Sequence, residues 1–250
     1  MQRFFAEPFR IEEENHRITL AGTDVNHIKN VLRMKPGQEL WVSDGAKKEY
    51  HCSIEAFTDM EVLLHILYVQ EPEYELPSRL YLFQGLPKAD KMELIIQKAV
   101  ELGVHAVIPV ETKRCVVKLD DKKAAKKTAR WQQISESAAK QSKRMLVPEI
   151  YPVMPYGKAL DFAKKLDICL IPYELTKGIK ETAEIIDSIE PGQSVGIFIG
   201  PEGGFEETEI QQAMDAGARP ITLGKRILRT ETAGLAALSI LMFQMERKGE

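Results

Sequence analysis

The last quarter of the chain, from Ile197 to Met245, constrains the possible folds more than any other stretch. Its pattern predicts a strand, a glycine-rich turn, a helix, a second strand, a second loop and a long apolar helix. The turn is Gly-Pro-Glu-Gly-Gly at 200–204, and the second loop covers residues 224–231. Loops that follow neighbouring strands meet at the carboxyl edge of an open sheet, where such sheets bind their ligands. We therefore expect a ligand site at this edge.

The glycine turn does not match the patterns that bind phosphate groups. It is neither G-x-G-x-x-G nor G-x-x-x-x-G-K-[ST], and no lysine follows its last glycine. Glu202, Glu206 and Glu207 surround the start of the next helix and favour a neutral or cationic ligand over a nucleoside triphosphate. For Glu206 and Glu207, a favourable contact with the helix dipole explains the charge equally well. In the second loop, Ile227 and Leu228 lie between cations, which favours a planar ring packed against the loop.

The amino-terminal part, residues 1–72, is predicted to be a small β-rich domain. Alternating runs at 39–43, 50–57 and 61–69 predict strands, and several short strands with one helix are typical of a compact barrel. Asp24 is predicted to cap that helix, which would run through Arg33. Its expected inner face consists of Val25, Ile28, Val31 and Leu32.

An acidic stretch with two prolines at 71–77 predicts a linker, and the remainder, residues 73–250, alternates strands with helices. This pattern indicates an α/β domain with a mainly parallel sheet. Strands are expected at 79–83, 106–110, 167–172 and 195–199. The first helix after Asp90 should end at Gly103 and bury one stripe, made of Met92, Ile95, Ile96, Ala99 and Val100. A helix over 122–143 should bury Trp131, Ile134 and Ala138.

Charge is unevenly distributed along the chain. The segment from Lys113 to Arg144 holds eleven Lys/Arg and three Asp/Glu, although the whole chain has a net charge of −3. A basic segment in an otherwise acidic chain indicates a polyanionic partner.

The three cysteines, Cys52, Cys115 and Cys169, are odd in number and widely spaced, with no histidine at metal-ligand spacing. We therefore expect neither a disulfide framework nor a metal site, and a cytoplasmic location. The amino terminus lacks the apolar run of a signal peptide. The longest apolar stretch, 233–243, is shorter than the ~20 residues that span a bilayer. No membrane association is expected.

Two motifs together, Ile-Gly-Pro-Glu-Gly-Gly-Phe at 199–205 and Leu-Gly-Lys-Arg-Ile-Leu-Arg-Thr-Glu-Thr-Ala at 223–233, resemble the signature of the RsmE family. Its members are 16S ribosomal RNA (uracil-N3) methyltransferases of the SPOUT superfamily. Further similarity lies at 84–93, at 141–144 and at 27–33, so the resemblance covers essentially the whole chain. One departure is Lys143, at a position where the family pattern leads us to expect glycine before Arg144.

The resemblance implies a PUA-like β-barrel domain over 1–72 and a SPOUT methyltransferase domain over 73–250, with a deep trefoil knot at about 168–250. It also implies S-adenosylmethionine as cofactor and a homodimer. The last helix supports a dimer independently, because it is apolar nearly all round. The implied cofactor-binding residues are Tyr173, Glu174, Ile199, Gly200, Pro201, Glu202, Gly203, Gly204, Leu223, Gly224, Ile227, Leu228, Thr232 and Ala233.

Three residues are candidates for the chemistry. Arg229 would stabilise charge on the uracil ring or orient the cofactor, and Arg144, from this subunit or the other, would hold the target nucleotide. Glu231 is a candidate general base that could equally cap the last helix, and methyl transfer could instead need only proximity, with the proton lost to water. The substrate would be 16S ribosomal RNA or the small ribosomal subunit. The candidate RNA-binding residues are Arg3, Arg10, His27, Arg33, Lys88, Lys91, Lys122, Lys123, Lys126 and Lys127.

Two other functions remain open from the sequence. A related knotted enzyme could act on a ribose 2′-hydroxyl or on transfer RNA. Alternatively, the chain could be an RNA-binding assembly protein without catalytic activity.

Overall fold

The structure, a computed structural model, describes residues 1–173 and 178–249. The chain forms two compact units. The first contains Met1–Glu75 together with Ala139–Val147, and the second contains Leu76–Ala138 together with the chain from Pro148 onward. The last residues of the basic helix and the loop after it therefore belong to the first unit.

The first unit is built on a six-stranded curled sheet in the order β1-β4-β5-β6-β3-β2. Every pairing is antiparallel except that of β1 with β4. Alternate residues of the strands point to one side and form the core, with Ile18, Leu40, Val62 and Leu64 fully buried. The strands are β1 Arg3–Phe5, β2 Ile11–Glu12, β3 Arg17–Ala21, β4 Glu39–Ser43, β5 Glu49–Phe57 and β6 Glu61–Gln70.

The predicted helix of this unit exists, but its geometry differs from the prediction. Helix α1, Thr23–Asn26, continues as a π-helical turn over His27–Val31. The wider turn changes the direction of later side chains, so Val31 is 61% exposed and its predicted burial is wrong. Asp24 is not the cap, because Gly22 precedes the helix and the Asp24 carboxylate accepts a 2.8 Å bond from Lys140.

The second unit contains a parallel sheet in the order β10-β8-β7-β12-β11-β13, with the short β9 also paired to β8. All pairings between the described strands are parallel, which confirms the mainly parallel sheet predicted from the alternating pattern. The strands are β7 Arg79–Gly85, β8 Ala106–Glu111, β9 Glu149–Ile150, β10 Met154–Pro155, β11 Ile168–Pro172, β12 Ser194–Ile199 and β13 Arg219–Ile221. The central strands β7 and β12 are buried on both faces, with Phe83 stacked on Phe198 at a ring-centroid distance of 4.4 Å.

The helices of this unit are α2 Lys91–Glu101, α3 Asp121–Ser142, α4 Tyr156–Ala163, α5 Gly178–Asp187, α6 Glu207–Asp215 and α7 Thr230–Gly249. All five predicted stripe residues of α2 are buried, and Gly103 ends the helix at φ +85°. In α3, Trp131 and Ala138 are buried as predicted, whereas Ile134 is only half-buried. Helix α4 was not predicted, although its buried side holds four apolar residues.

The position where a glycine was expected has the backbone conformation of a glycine. Lys143 has a φ of +62°, a left-handed conformation that costs a residue with a Cβ roughly 1–2 kcal/mol. Its carbonyl accepts a 3.0 Å bond from Arg3 Nη1. Arg144, the next residue, is buried in a two-nitrogen ion pair with Glu75. These contacts hold the loop in the shape that the missing glycine would adopt more easily.

Among the described residues, no helix is long and apolar enough to cross a membrane, and no group of acidic, histidine or cysteine side chains is arranged to hold a metal. The three cysteines are buried and unpaired. Burial raises the pKa of the Cys52 and Cys169 thiols to about 12.

Candidate active site

The glycine turn folds tightly against its own backbone at the carboxyl end of β12. A Cβ on Gly200 would lie 3.1 Å from the backbone of Gly204, and Gly204 itself has a φ of +66°. The turn is closed by a 2.9 Å bond from the Gly204 N–H to the Pro201 carbonyl. Arg114 Nη1 supports it from outside by donating to the Gly203 carbonyl at 3.1 Å.

The end of the neighbouring strand β7 lies directly under this turn. A Cβ on Gly85 would be 2.6 Å from Pro201 Cδ and 2.7 Å from the Pro201 nitrogen, which no ordinary packing allows. Because Gly85 has no side chain, the ends of β7 and β12 can approach each other closely. This close approach fixes the position of the turn.

A buried hydrogen-bond chain joins three elements at the same place. Gln84 Nε2 donates to Thr230 Oγ1 at 2.9 Å, and Thr230 Oγ1 donates to the Gly200 carbonyl at 2.6 Å. The first residue of α7 is thereby attached to the ends of β7 and β12. Gln84 was not among the predicted site residues, although a single amide in an otherwise apolar strand is a signal that it has a polar partner.

Lys91 joins the carboxylates of the two loops. Its Nζ lies 3.0 Å from Glu202 Oε1 and 3.3 Å from Glu231 Oε2. Hydrogen bonding to Glu202 raises the pKa of Lys91. Burial alone would raise the pKa of Glu202, but bonds from Lys91 and from backbone N–H groups, including that of Lys88, lower it. Lys91 and Glu202 are therefore both charged near neutral pH.

The other acidic residues around the turn also have partners. Glu206 Oε2 lies 3.1 Å from Lys113 Nζ. The buried Glu209 carboxylate accepts the N–H groups of Glu206 and Lys113 at 3.0 and 2.9 Å. Of these acidic residues, only Glu207 is exposed and lacks a side-chain partner in the part of the chain that the structure describes. The negative charge that the sequence predicted at the turn is therefore largely compensated, so it does not by itself favour a cationic ligand.

The second loop presents backbone groups and one arginine. Among the described residues, the N–H groups of Leu223, Ile227 and Leu228 make no hydrogen bond. Gly224 turns the loop at φ +104°, and the Ile227 side chain is 89% exposed. Arg229 is exposed and its side chain has no ion pair with the described residues. The loop thus offers polar backbone atoms beside apolar side chains, which suits an aromatic base with hydrogen-bonding edges.

The predicted cofactor residues converge on this edge of the sheet. The glycine turn follows β12, Leu223 and Gly224 follow β13, and Tyr173 follows β11 with its N–H bonded to the Ile221 carbonyl at 2.9 Å. Thr232 and Ala233 lie in the first turn of α7, where the Ala233 N–H bonds the Arg229 carbonyl. Glu174 lies outside the described residues.

The comparisons with known proteins cover nearly the entire chain. A family model described as an RNA methyltransferase domain matches residues 74–242, and one described as an RNA methyltransferase PUA domain matches residues 20–67. The ribosomal RNA small subunit methyltransferase E of Bacillus subtilis is 39% identical, with 98% of each chain covered. This chain belongs to that RNA methyltransferase family.

Solved structures of similar proteins support the same family. A methyltransferase from Legionella pneumophila, in complex with its bound cofactor SAM, has a TM-score of 0.86 at 33% identity, with 96% of both chains covered. A ribosomal RNA small subunit methyltransferase E from Neisseria gonorrhoeae, bound to S-adenosyl methionine, has a TM-score of 0.84 at 35% identity, with 97% of both covered.

Arg144, a predicted nucleotide-binding residue of this family member, lies in the first unit. It is 4% exposed, and its Nε and Nη2 atoms donate to Glu75 at 2.6–2.9 Å. Arg3 belongs to the same unit and is 8% exposed, paired with the fully buried Glu49. Both arginines have structural partners, a fact that their sequence context did not reveal.

The other predicted RNA-binding residues differ in how available they are. Arg10 is half-buried and paired with Glu7 and Glu61, and Lys91 is held by two carboxylates. Exposed side chains at the predicted positions are those of His27, Arg33, Lys88, Lys122, Lys123, Lys126 and Lys127. Lys123 contacts Asp120 at 2.9 Å, and Lys127 lies 5.8 Å from the centre of the Trp131 ring. The start of α3 therefore keeps most of its positive charge at the surface.

Proposed function

We propose that this protein transfers the methyl group of S-adenosylmethionine to N3 of a specific uridine in 16S ribosomal RNA. The observation that carries the proposal is the assembly of both signature loops at one sheet edge, in a chain 39% identical over its length to a small subunit methyltransferase E. Ribosomal RNA in the small subunit is the substrate, and the cytoplasm, where ribosomes are assembled, is the location.

The residues at the edge fit this cofactor. The N–H groups of Leu223, Ile227 and Leu228, which bond to none of the described residues, and the tight turn at Gly200–Gly204 provide a backbone cradle for a base and a ribose. No phosphate-binding lysine is required, because S-adenosylmethionine carries no phosphate group. When bound, the cofactor supplies a methyl group on a positively charged sulfur.

The protein side of the reaction concerns the uracil imide. The proton on N3 must leave so that the nitrogen lone pair can accept the methyl group, and negative charge spreads onto the ring oxygens. Arg229, exposed beside the first turn of α7, is the residue that stabilises this charge. Glu231 is the candidate acceptor of the proton. The target base leaves its stack to reach both residues.

The two domains predicted from the sequence have different proposed roles. The amino-terminal PUA-like domain, residues 1–72, contributes to RNA binding, and residues 73–250 form the methyltransferase domain of SPOUT type. We infer the deep knot for about 168–250 from the family resemblance. A crystal structure in which the backbone from residue 168 onward passes through no loop of the chain would rule the knot out.

The decisive experiment locates the methyl group. Purified protein is incubated with labelled S-adenosylmethionine and either free 16S RNA or assembled small subunits, and the modified nucleoside is identified by mass spectrometry. We expect 3-methyluridine at a single position. A methyl group on a ribose 2′-oxygen or on transfer RNA would favour a related enzyme instead. Absence of both transfer and cofactor binding would favour a non-catalytic RNA-binding protein.

The basic start of α3 is proposed to bind RNA phosphates. Replacing Lys122, Lys123, Lys126 and Lys127 with glutamine should weaken RNA affinity and reduce the slope of log K against log salt by about 2–3, because each phosphate contact on single-stranded RNA contributes about 0.7. Filter binding at several salt concentrations measures both quantities.

The matched control removes the same charge elsewhere in the second unit. Lys158, Lys164, Lys165 and Lys180 are all exposed, and replacing them with glutamine should leave the salt slope unchanged. If both quadruple variants lower the slope equally, the effect comes from net charge and not from this helix.

We also propose a homodimer formed through α7. The helix buries Gly234, Leu238 and Leu241 in its own unit, but Ile240 and Phe243 are 45% and 66% exposed. Exposed apolar side chains repeated along one helix face are typical of an interface. Phe243→Glu should shift the protein from dimer to monomer in sedimentation velocity. A monomeric wild-type protein at micromolar concentration would refute the dimer.

A further inference from the structure

The Lys91 side chain pairs with carboxylates of the candidate site, unlike a lysine that binds phosphate groups. Its ammonium group lies between Glu202 of the glycine turn and Glu231 of α7, and only 29% of the side chain is exposed. A single cation therefore serves two carboxylates that belong to the two signature loops.

Glu231 depends on this cation more strongly than Glu202 does. The Glu231 side chain is 17% exposed, and its Oε2 atom is buried and has no hydrogen-bond partner of good geometry among the described residues, with Lys91 Nζ at 3.3 Å. Glu202, in contrast, also accepts the Lys88 N–H on both oxygens at 3.1 and 3.3 Å. A buried carboxylate oxygen without hydrogen bonds is stabilised as an anion mainly by a nearby opposite charge.

The loop just before Lys91, the first residue of α2, is bent where these contacts are made. Ala89, two residues before Lys91, has a φ of +52°, which is unfavourable for a residue with a Cβ. The bend directs the Lys88 N–H and the Lys91 ammonium group toward the same carboxylate. Strained backbone persists only where the surrounding contacts maintain it, and it is concentrated at functional sites.

We propose that Lys91 is a positioning residue for methyl transfer, which pairs with the Glu231 carboxylate and orients it toward the target base, and that it does not bind RNA phosphates. This proposal rests on the function proposed above. The sequence had predicted that Lys91 binds RNA. Because two carboxylates already offset the positive charge of Lys91, it attracts a third anion only weakly.

The test compares Lys91→Met with Lys91→Arg, and with Lys98→Met as the control. Lys98 lies on the same helix and pairs with Glu101 at 2.8 Å, so its replacement also removes one lysine–glutamate pair. We expect Lys91→Met to lower kcat about 100-fold, the lower end of the contribution of a general base, and Lys91→Arg to recover most of the loss. RNA affinity and its salt slope should stay at wild-type values in all three.

The pH profile separates a charge effect from a general loss of structure. Lys91→Met removes the cation that lies 3.3 Å from Glu231 Oε2 and 3.0 Å from Glu202 Oε1, and it leaves both carboxylates without this partner. The acid limb of log kcat against pH should therefore move to higher pH in Lys91→Met. A merely structural role would lower kcat equally at every pH.

A double-mutant cycle decides whether Lys91 acts through Glu231. If it does, Lys91→Met combined with Glu231→Gln should be no slower than Glu231→Gln alone. Wild-type kcat in Lys91→Met, or a lower salt slope with unchanged kcat, would overturn the proposal. If the wild-type protein methylates no RNA, the proposed function fails first and this proposal fails with it.

Discussion

Arg229→Ala should reduce methyl transfer by about 100- to 1000-fold, which corresponds to roughly 2.7–4 kcal/mol of transition-state stabilisation. The physical reason is that the uracil ring gains negative charge as its imide proton leaves, and Arg229 is the exposed cation next to the first turn of α7. Its side chain makes no ion pair with the described residues, so the substitution should leave the melting temperature nearly unchanged. Single-turnover rates at saturating RNA and cofactor measure the effect.

Two further variants sharpen this prediction. Arg229→Lys retains the charge but loses the planar guanidinium fork, so an intermediate rate is expected if geometry contributes. Arg219→Ala is the matched control, because Arg219 is an exposed arginine on β13 outside both loops. Wild-type turnover by Arg229→Ala would remove Arg229 from the mechanism.

Gly85→Ala should weaken cofactor binding at least tenfold without changing any group that contacts the ligand. The added Cβ would lie 2.6–2.7 Å from Pro201, so the glycine turn must move away from β7. Overpacking of this kind also lowers the free energy of unfolding, typically by about 1–3 kcal/mol. Isothermal calorimetry with S-adenosylmethionine measures the affinity, and thermal unfolding measures the stability.

Gly157→Ala is the control for this experiment. Gly157 lies in α4, and a Cβ there meets no atom within 4 Å. Alanine in a helix is favoured over glycine by up to about 1 kcal/mol, so this variant should be as stable as the wild type or slightly more stable, with unchanged cofactor affinity. Equal affinities for Gly85→Ala and Gly157→Ala would show that the turn tolerates displacement.

Much of the site could be predicted from local sequence. The two loops were located because strand and helix patterns placed them after successive strands, and the family resemblance supplied their ligand. The negative charge at the glycine turn was overestimated from the sequence, since Glu202 and Glu206 were treated as unpaired. Their partners, Lys91 and Lys113, lie about a hundred residues earlier in the chain, and no local pattern connects them.

The sequence by itself determined the parallel sheet, the buried stripe of α2 and the basic start of α3. Each of these follows from side-chain periodicity or local charge, which nearby residues encode. Only the tertiary structure decided that Gln84 bonds Thr230, that Arg3 and Arg144 are buried in ion pairs, and that Lys91 joins two loops. These outcomes depend on which distant residue completes each hydrogen bond or ion pair. Residues far apart in the sequence come together only when the chain folds.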